Sequence, residues 1–116
     1  MNRIIELLND KNAHLEKFVK LNECELHRFA EGDFDGLEKF YKSREVILDL
    51  IKCIDRLVEE EQRGHEIETP DVNQDEKTLI QAEKKKKKVL VQNILAQDLQ
   101  ILSVLEDTKS DIIKEI

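Results

Sequence analysis

The chain has 116 residues, 26 acids against 19 bases, and a formal net charge of −7. Aromatic residues make up 4%, Gly occurs three times and Pro once, which excludes an all-β fold built on tight turns and a phosphate-cradling Gly-rich loop. The acidic balance excludes general nucleic-acid binding, which needs a broad basic face.

The length suits one domain spanning 1–116. The apolar run in MNRIIELLNDKN is too short for a signal peptide, and no run reaches membrane-spanning length. The expectation is a cytoplasmic protein without stable membrane insertion.

Residues 2–31 read as one helix. Ile4, Ile5, Leu8, Leu15, Phe18, Val19, Leu26 and Phe29 recur at spacings of three and four. Gly32 is the natural left-handed residue to end it. Asp33 follows and can cap the next helix, with Asp35 and Glu38 as an alternative capping box. So short a turn makes the two flanking helices antiparallel neighbours.

The second helix is expected over 34–62, with a stripe of Leu37, Phe40, Tyr41, Ile47, Leu48, Ile51, Ile54 and Val58. Arg44 is a charge on that stripe. It either snorkels, pairs with Glu23 or Glu25 across the hairpin, or acts as a fixed polar specifier of register.

Residues 64–76, GHEIETPDVNQDE, form an acidic linker holding the only Pro. Thr69 can cap a helix that starts at Pro70, and onset falls between 70 and 77. The third helix is expected over about 77–116, with a candidate break near 108. From Val89 onward its apolar residues cover more than one face, and Asp98 is one acid between Ile94–Leu95 and Ile101–Leu102. The fold class is all-α: an antiparallel hairpin plus a long C-terminal helix, in a three- to four-helix bundle arrangement.

Catalytic and metal constellations are missing from the pattern. In a hairpin turning near 33, Cys24 and Cys53 lie about 16 Å apart along the axis, outside disulfide reach. Cys24 with His27, and Cys53 with His14, each gather two ligands where zinc needs three or four. No Glu-x-x-His motif is present, and the five Arg do not form a spaced set of the kind a small helical chorismate mutase needs. We expect no enzyme activity, cofactor or metal. Lys84–Lys88 reads as a solvated segment covering or pairing with the acidic end of helix two, as a surface for an acidic partner, or as a contact to an anionic membrane or nucleic acid, which the surrounding negative charge opposes.

Phe29-Ala30-Glu31-Gly32-Asp33-Phe34-Asp35-Gly36-Leu37, then Arg44-Glu45 and Leu48, resemble the FliT/FlgN family of flagellar (type III) export chaperones. Ile94-Leu95-Ala96-Gln97-Asp98 with Leu102, Leu105 and a mixed charged–apolar tail resemble that family's later helix. The Lys84–Lys88 run departs from the pattern. The resemblance implies a small cytoplasmic chaperone that holds an amphipathic helix of an export substrate, a filament-cap or hook–filament junction protein, and presents it to a component of the export apparatus.

The surplus apolar surface agrees with a docking role. Ile94, Leu95, Leu99, Ile101, Leu102 and Leu105 are the candidate partner-binding residues, Gly32 and Asp33 the structural turn, and Arg44 and Asp98 the candidate polar specifiers. The same surface also serves a homodimer or a structural coiled-coil module without a client. The last turns, with Ile112, Ile113 and Ile116, are candidates to cover it.

Overall fold

The structure, a computed structural model, describes the backbone of residues 3–67 and 74–115 and the side chains of 3–64 and 74–107. It contains three helices, α1 (Arg3–Ala30), α2 (Leu37–Ile67) and α3 (Gln74–Glu115), and no strand among the described residues. They form an all-α bundle measuring 67 × 21 × 17 Å.

The turn between α1 and α2 follows from its residues. Gly32 has φ +80°, the left-handed conformation that an L side chain resists. Its N–H donates to the Phe29 carbonyl and that of Asp33 to the Arg28 carbonyl, both at 2.9 Å. These two bonds make a Schellman motif, which satisfies carbonyls the helix end would otherwise strand. Phe34 then folds back onto Phe29, with ring centroids 4.9 Å apart and nearly parallel planes. Asp33 does not cap α2. Its Oδ1 accepts the Asp35 N–H, which holds the chain in an Asx turn and delays the helix to Leu37 rather than 34.

α1 lies between the other two helices and packs on both, while the α2 and α3 backbones stay apart. Its buried positions Leu15, Phe18, Asn22, Glu25 and Phe29 alternate in steps of three and four, the spacing of a seam that must face neighbours along its length. Phe29, Phe40 and Ile101 bring the three helices together at the turn end, beneath Leu21, Leu26, Phe34, Leu37, Val104 and Leu105.

Three polar side chains of α1 sit in this interior. Asn22 donates to Gln97 Oε1 at 2.9 Å, Gln97 Nε2 donates to the Val19 carbonyl, and Asn12 donates to the Glu83 carbonyl and carboxylate. Glu25 is buried with only a distant contact to Arg28, at 3.7 Å. One oxygen each of Asn12, Asn22 and Glu25 lacks a hydrogen-bond partner.

α3 is unbroken from Gln74 to Glu115, so the break expected near 108 does not occur. Its pairings with α1, Asn12 to Glu83 and Asn22 to Gln97, run parallel. The α1 end is therefore level with residues near 105, and α3 continues about 15 Å past the hairpin turn at ~1.5 Å per residue. A continuous helix does not turn back on its own 94–105 face, so the last turns do not cover it. The Thr69–Pro70 start and Ile116 lie outside the described residues, as do the Ile112 and Ile113 side chains.

Candidate functional site: the groove between α2 and α3

Because α2 and α3 each pack on α1 and not backbone-to-backbone on each other, a groove runs between them with α1 as its floor. Three features follow one another along it. At the end where α1 begins lies an open trough of about 700 Å³, with Ile4, Leu8, Val58, Ile80 and Val91 as its apolar surface. Next is a smaller cavity of about 180 Å³, lined by Leu15, Phe18, Leu48, Val91, Ile94 and Leu95. Then Arg44 reaches across and closes the groove.

Arg44 does not pair with Glu23 or Glu25. Its Nη2 donates to Asp98 Oδ1 at 2.8 Å, joining α2 to α3. Its guanidinium lies 4.7 Å from the Phe18 ring centroid and 5.2 Å from that of Phe40, and Tyr41 is 5.9 Å away. Rings on two helices thus hold the cation while an acid on the third takes its hydrogen bond. The Arg44 side chain is 16% exposed and that of Asp98 33%. The two charged residues on otherwise apolar stripes are partners.

The other pairs of helices are tied in the same way. Lys11 bridges from α1 to Asp55 on α2, and Lys86 from α3 to Glu16 on α1 at 2.8 Å. The Lys86 hydrogen bond, and then its charge, hold the Glu16 carboxyl below the usual carboxylate range, and Glu16 holds the Lys86 ammonium above its ordinary value. The central lysine of the Lys84–Lys88 run therefore pairs with α1, not with the acidic end of α2. Lys84, Lys87 and Lys88 line the trough.

The six apolar residues expected on one docking surface divide. Ile101 is 1% exposed and belongs to the core, because its helical phase points it at Phe29 and Phe40. It is not on the docking surface. Ile94 and Leu105 are half-buried against the bundle. Leu95, Leu99 and Leu102 stand outward, 58%, 69% and 54% exposed. Their i, i+4, i+7 spacing puts them on one face.

Cys24 and Cys53 are free and exposed. Among the described residues no three His, Cys, Asp or Glu side chains gather as a metal site, and no helix is long and apolar enough to cross a membrane. No family model, curated protein or solved structure matches the chain.

The sequence did not reveal the trough. Its apolar residues come from three separate stripes, and only the α2–α3 separation leaves them uncovered. Lys84–Lys88 was the visible signal, yet which lysines face inward depends on Lys86 being taken up by Glu16.

Proposed function

We propose that the chain is a small helix-binding chaperone or adaptor, which holds an amphipathic helical segment of a flagellar export substrate on the outer face of α3. The observation that carries this reading is the row Leu95, Leu99 and Leu102, three large aliphatic side chains each more than half exposed on one face. Fully burying a leucine side chain is worth about 1.5–3 kcal/mol, so covering what remains open on these three favours a partner by a few kcal/mol. A partner helix with its own aliphatics at i, i+3 or i+4, and i+7 matches that row. The resemblance of the Gly32–Asp33 turn, the Arg44-Glu45 segment and Ile94–Asp98 to the FliT/FlgN chaperones supports the client class. A filament-cap or hook–filament junction protein would be the client, delivered to the export apparatus in the cytoplasm.

Titration calorimetry with the amphipathic terminal helix of such a substrate tests the reading. The parent should bind one helix per chain, and Leu99→Asp with Leu102→Asp should abolish binding while leaving helicity intact. If no substrate helix binds, and sedimentation shows a tight oligomer that the same variant dissolves, the chain is a structural module and the chaperone reading fails.

A further inference from the structure

Lys84, Lys87 and Lys88 are not accounted for by the leucine row. They line the trough, and none has an ion-pair partner among the described residues. The opposite wall, α2, contributes Val58, Gln62 and one acid, Asp55, which Lys11 already neutralises. The trough thus has an apolar floor and one wall of positive charge that no ion pair offsets among the described residues, in a protein whose net charge is −7.

We propose that this trough binds an acidic amphipathic helix of a protein partner. Along α3 it runs from Ile80 to Gln92, about 18 Å at the helical rise, which is the length of roughly three helical turns. The space is the one a fourth helix would fill in a bundle whose second and third helices do not meet. Aliphatic side chains at i, i+3 or i+4, and i+7 of the entering helix would rest on Leu8, Val58, Ile80 and Val91.

The lysines fix the flank chemistry. Lys84 and Lys88 are four apart, and residues at that spacing are neighbours on one helix face, with Cβ atoms about 5–6 Å apart. Glutamates three or four apart on the α3-facing flank of the partner would meet them. On the α2-facing flank the partner needs no charge. Asp55 inside the trough is already paired with Lys11, and acids beyond about 8 Å are screened at physiological salt while the lysines act at contact. A nucleic acid or a lipid surface needs an extended basic face, and these lysines occupy one wall of a recessed, apolar-floored groove.

The trough ends at Gln92, short of Leu99 and Leu102, so its failure and that of the export-chaperone reading are distinguishable. The test measures fluorescence anisotropy of a labelled synthetic helix of about 14 residues, with leucines at i, i+3 and i+7 and glutamates on one flank, against the full chain. Its twin has lysines in place of the glutamates.

The glutamate helix should bind roughly tenfold or more tightly than the lysine helix, and more weakly as salt rises. K84E/K87E/K88E should reverse that preference. A gain for the lysine helix shows that the variant is folded and that the contact is direct. Leu99→Asp with Leu102→Asp should leave glutamate-helix binding intact. The proposal is overturned if charge reversal leaves the preference unchanged, or if the leucine variant is the one that abolishes binding. It is equally overturned if neither helix binds and dodecanoate instead occupies the trough one to one, as a small anionic amphiphile would.

Discussion

Replacing Arg44 by Met keeps an unbranched side chain in place and removes the cation that three helices share. Two contributions are lost. The hydrogen-bonded ion pair to Asp98 at 2.8 Å is partly shielded from water and worth about 1 kcal/mol. The guanidinium lies 4.7 and 5.2 Å from the Phe18 and Phe40 centroids, and each such contact contributes about 0.5–1 kcal/mol. The sum is about 2–3 kcal/mol. Unfolding entropy of about 2.1 cal/mol/K per residue over the 116 residues makes each kcal/mol worth about 4 °C. Arg44→Met should therefore lower Tm by about 8–12 °C, followed by circular dichroism at 222 nm. Asp98→Asn alone should cost about 1 kcal/mol, and the double-mutant cycle should give a coupling energy near 1 kcal/mol. Arg44→Lys, which keeps the charge but loses the planar fork and its stacking, should fall between Met and the parent. A coupling energy within about 0.3 kcal/mol of zero, or a Met variant as stable as the parent, would refute the three-helix role assigned to Arg44.

Ile101→Ala should destabilise by about 2–4 kcal/mol in urea titration, whereas Leu99→Ala should stay within about 0.5 kcal/mol, because only the former opens a core cavity. Gly32→Ala should cost about 1 kcal/mol of Tm-derived stability. A Cβ there meets nothing within 4 Å, so the whole cost is the positive φ. Asn22→Leu combined with Gln97→Leu should raise Tm by about 4 °C or more, since it removes a buried oxygen that has no partner; Asn22→Leu alone should lower Tm by stranding the Gln97 carbonyl. Glu16, held below its ordinary range, stabilises the fold above its unfolded pKa, and that contribution disappears as pH falls through the lowered value. Lys86, held above its ordinary value, contributes below its unfolded pKa and loses that contribution as pH rises through the raised one. The Tm gap between parent and Lys86→Gln should therefore close toward acid and toward strong alkali; a gap that widens below about pH 4 would contradict the pairing.

The hairpin was legible because its signals are local. Gly32 takes the left-handed conformation without strain, and the stripes of α1 and α2 repeat at helical spacing over many turns. Its fine detail was not. Asp33 accepts the Asp35 N–H in an Asx turn instead of capping a helix that starts at 34, and α2 starts at Leu37. Asn12, Asn22 and Glu25 occupy seam positions on α1, yet polar residues read as solvent-facing until the α3 surface opposite them is known. Arg44 and Asp98 were each visible as charges out of place. Pairing them required the register of α2 against α3, which no turn sequence specifies. For the same reason Ile101 could not be separated from Leu99 and Leu102. The wide apolar coverage of α3 reads identically from either side until one face is docked.

The parallel packing of α3 on α1 also orders events in time. Contacts of the hairpin begin across a turn of a few residues, while those of α3 join positions such as 22 and 97, separated by 75 in the chain. Closing the longer loop costs more chain entropy, and the contacts that reward it include buried amides with unmet oxygens. Arg3 to Ile67 precede α3 in the chain, so the hairpin helices are available to pair before α3 is. On loop-closure entropy, α3 should correspondingly be the part to separate first in the folded protein. Its amides should exchange with solvent sooner than those of the hairpin, and the α1 face it leaves, still helical, is the template on which it reassembles.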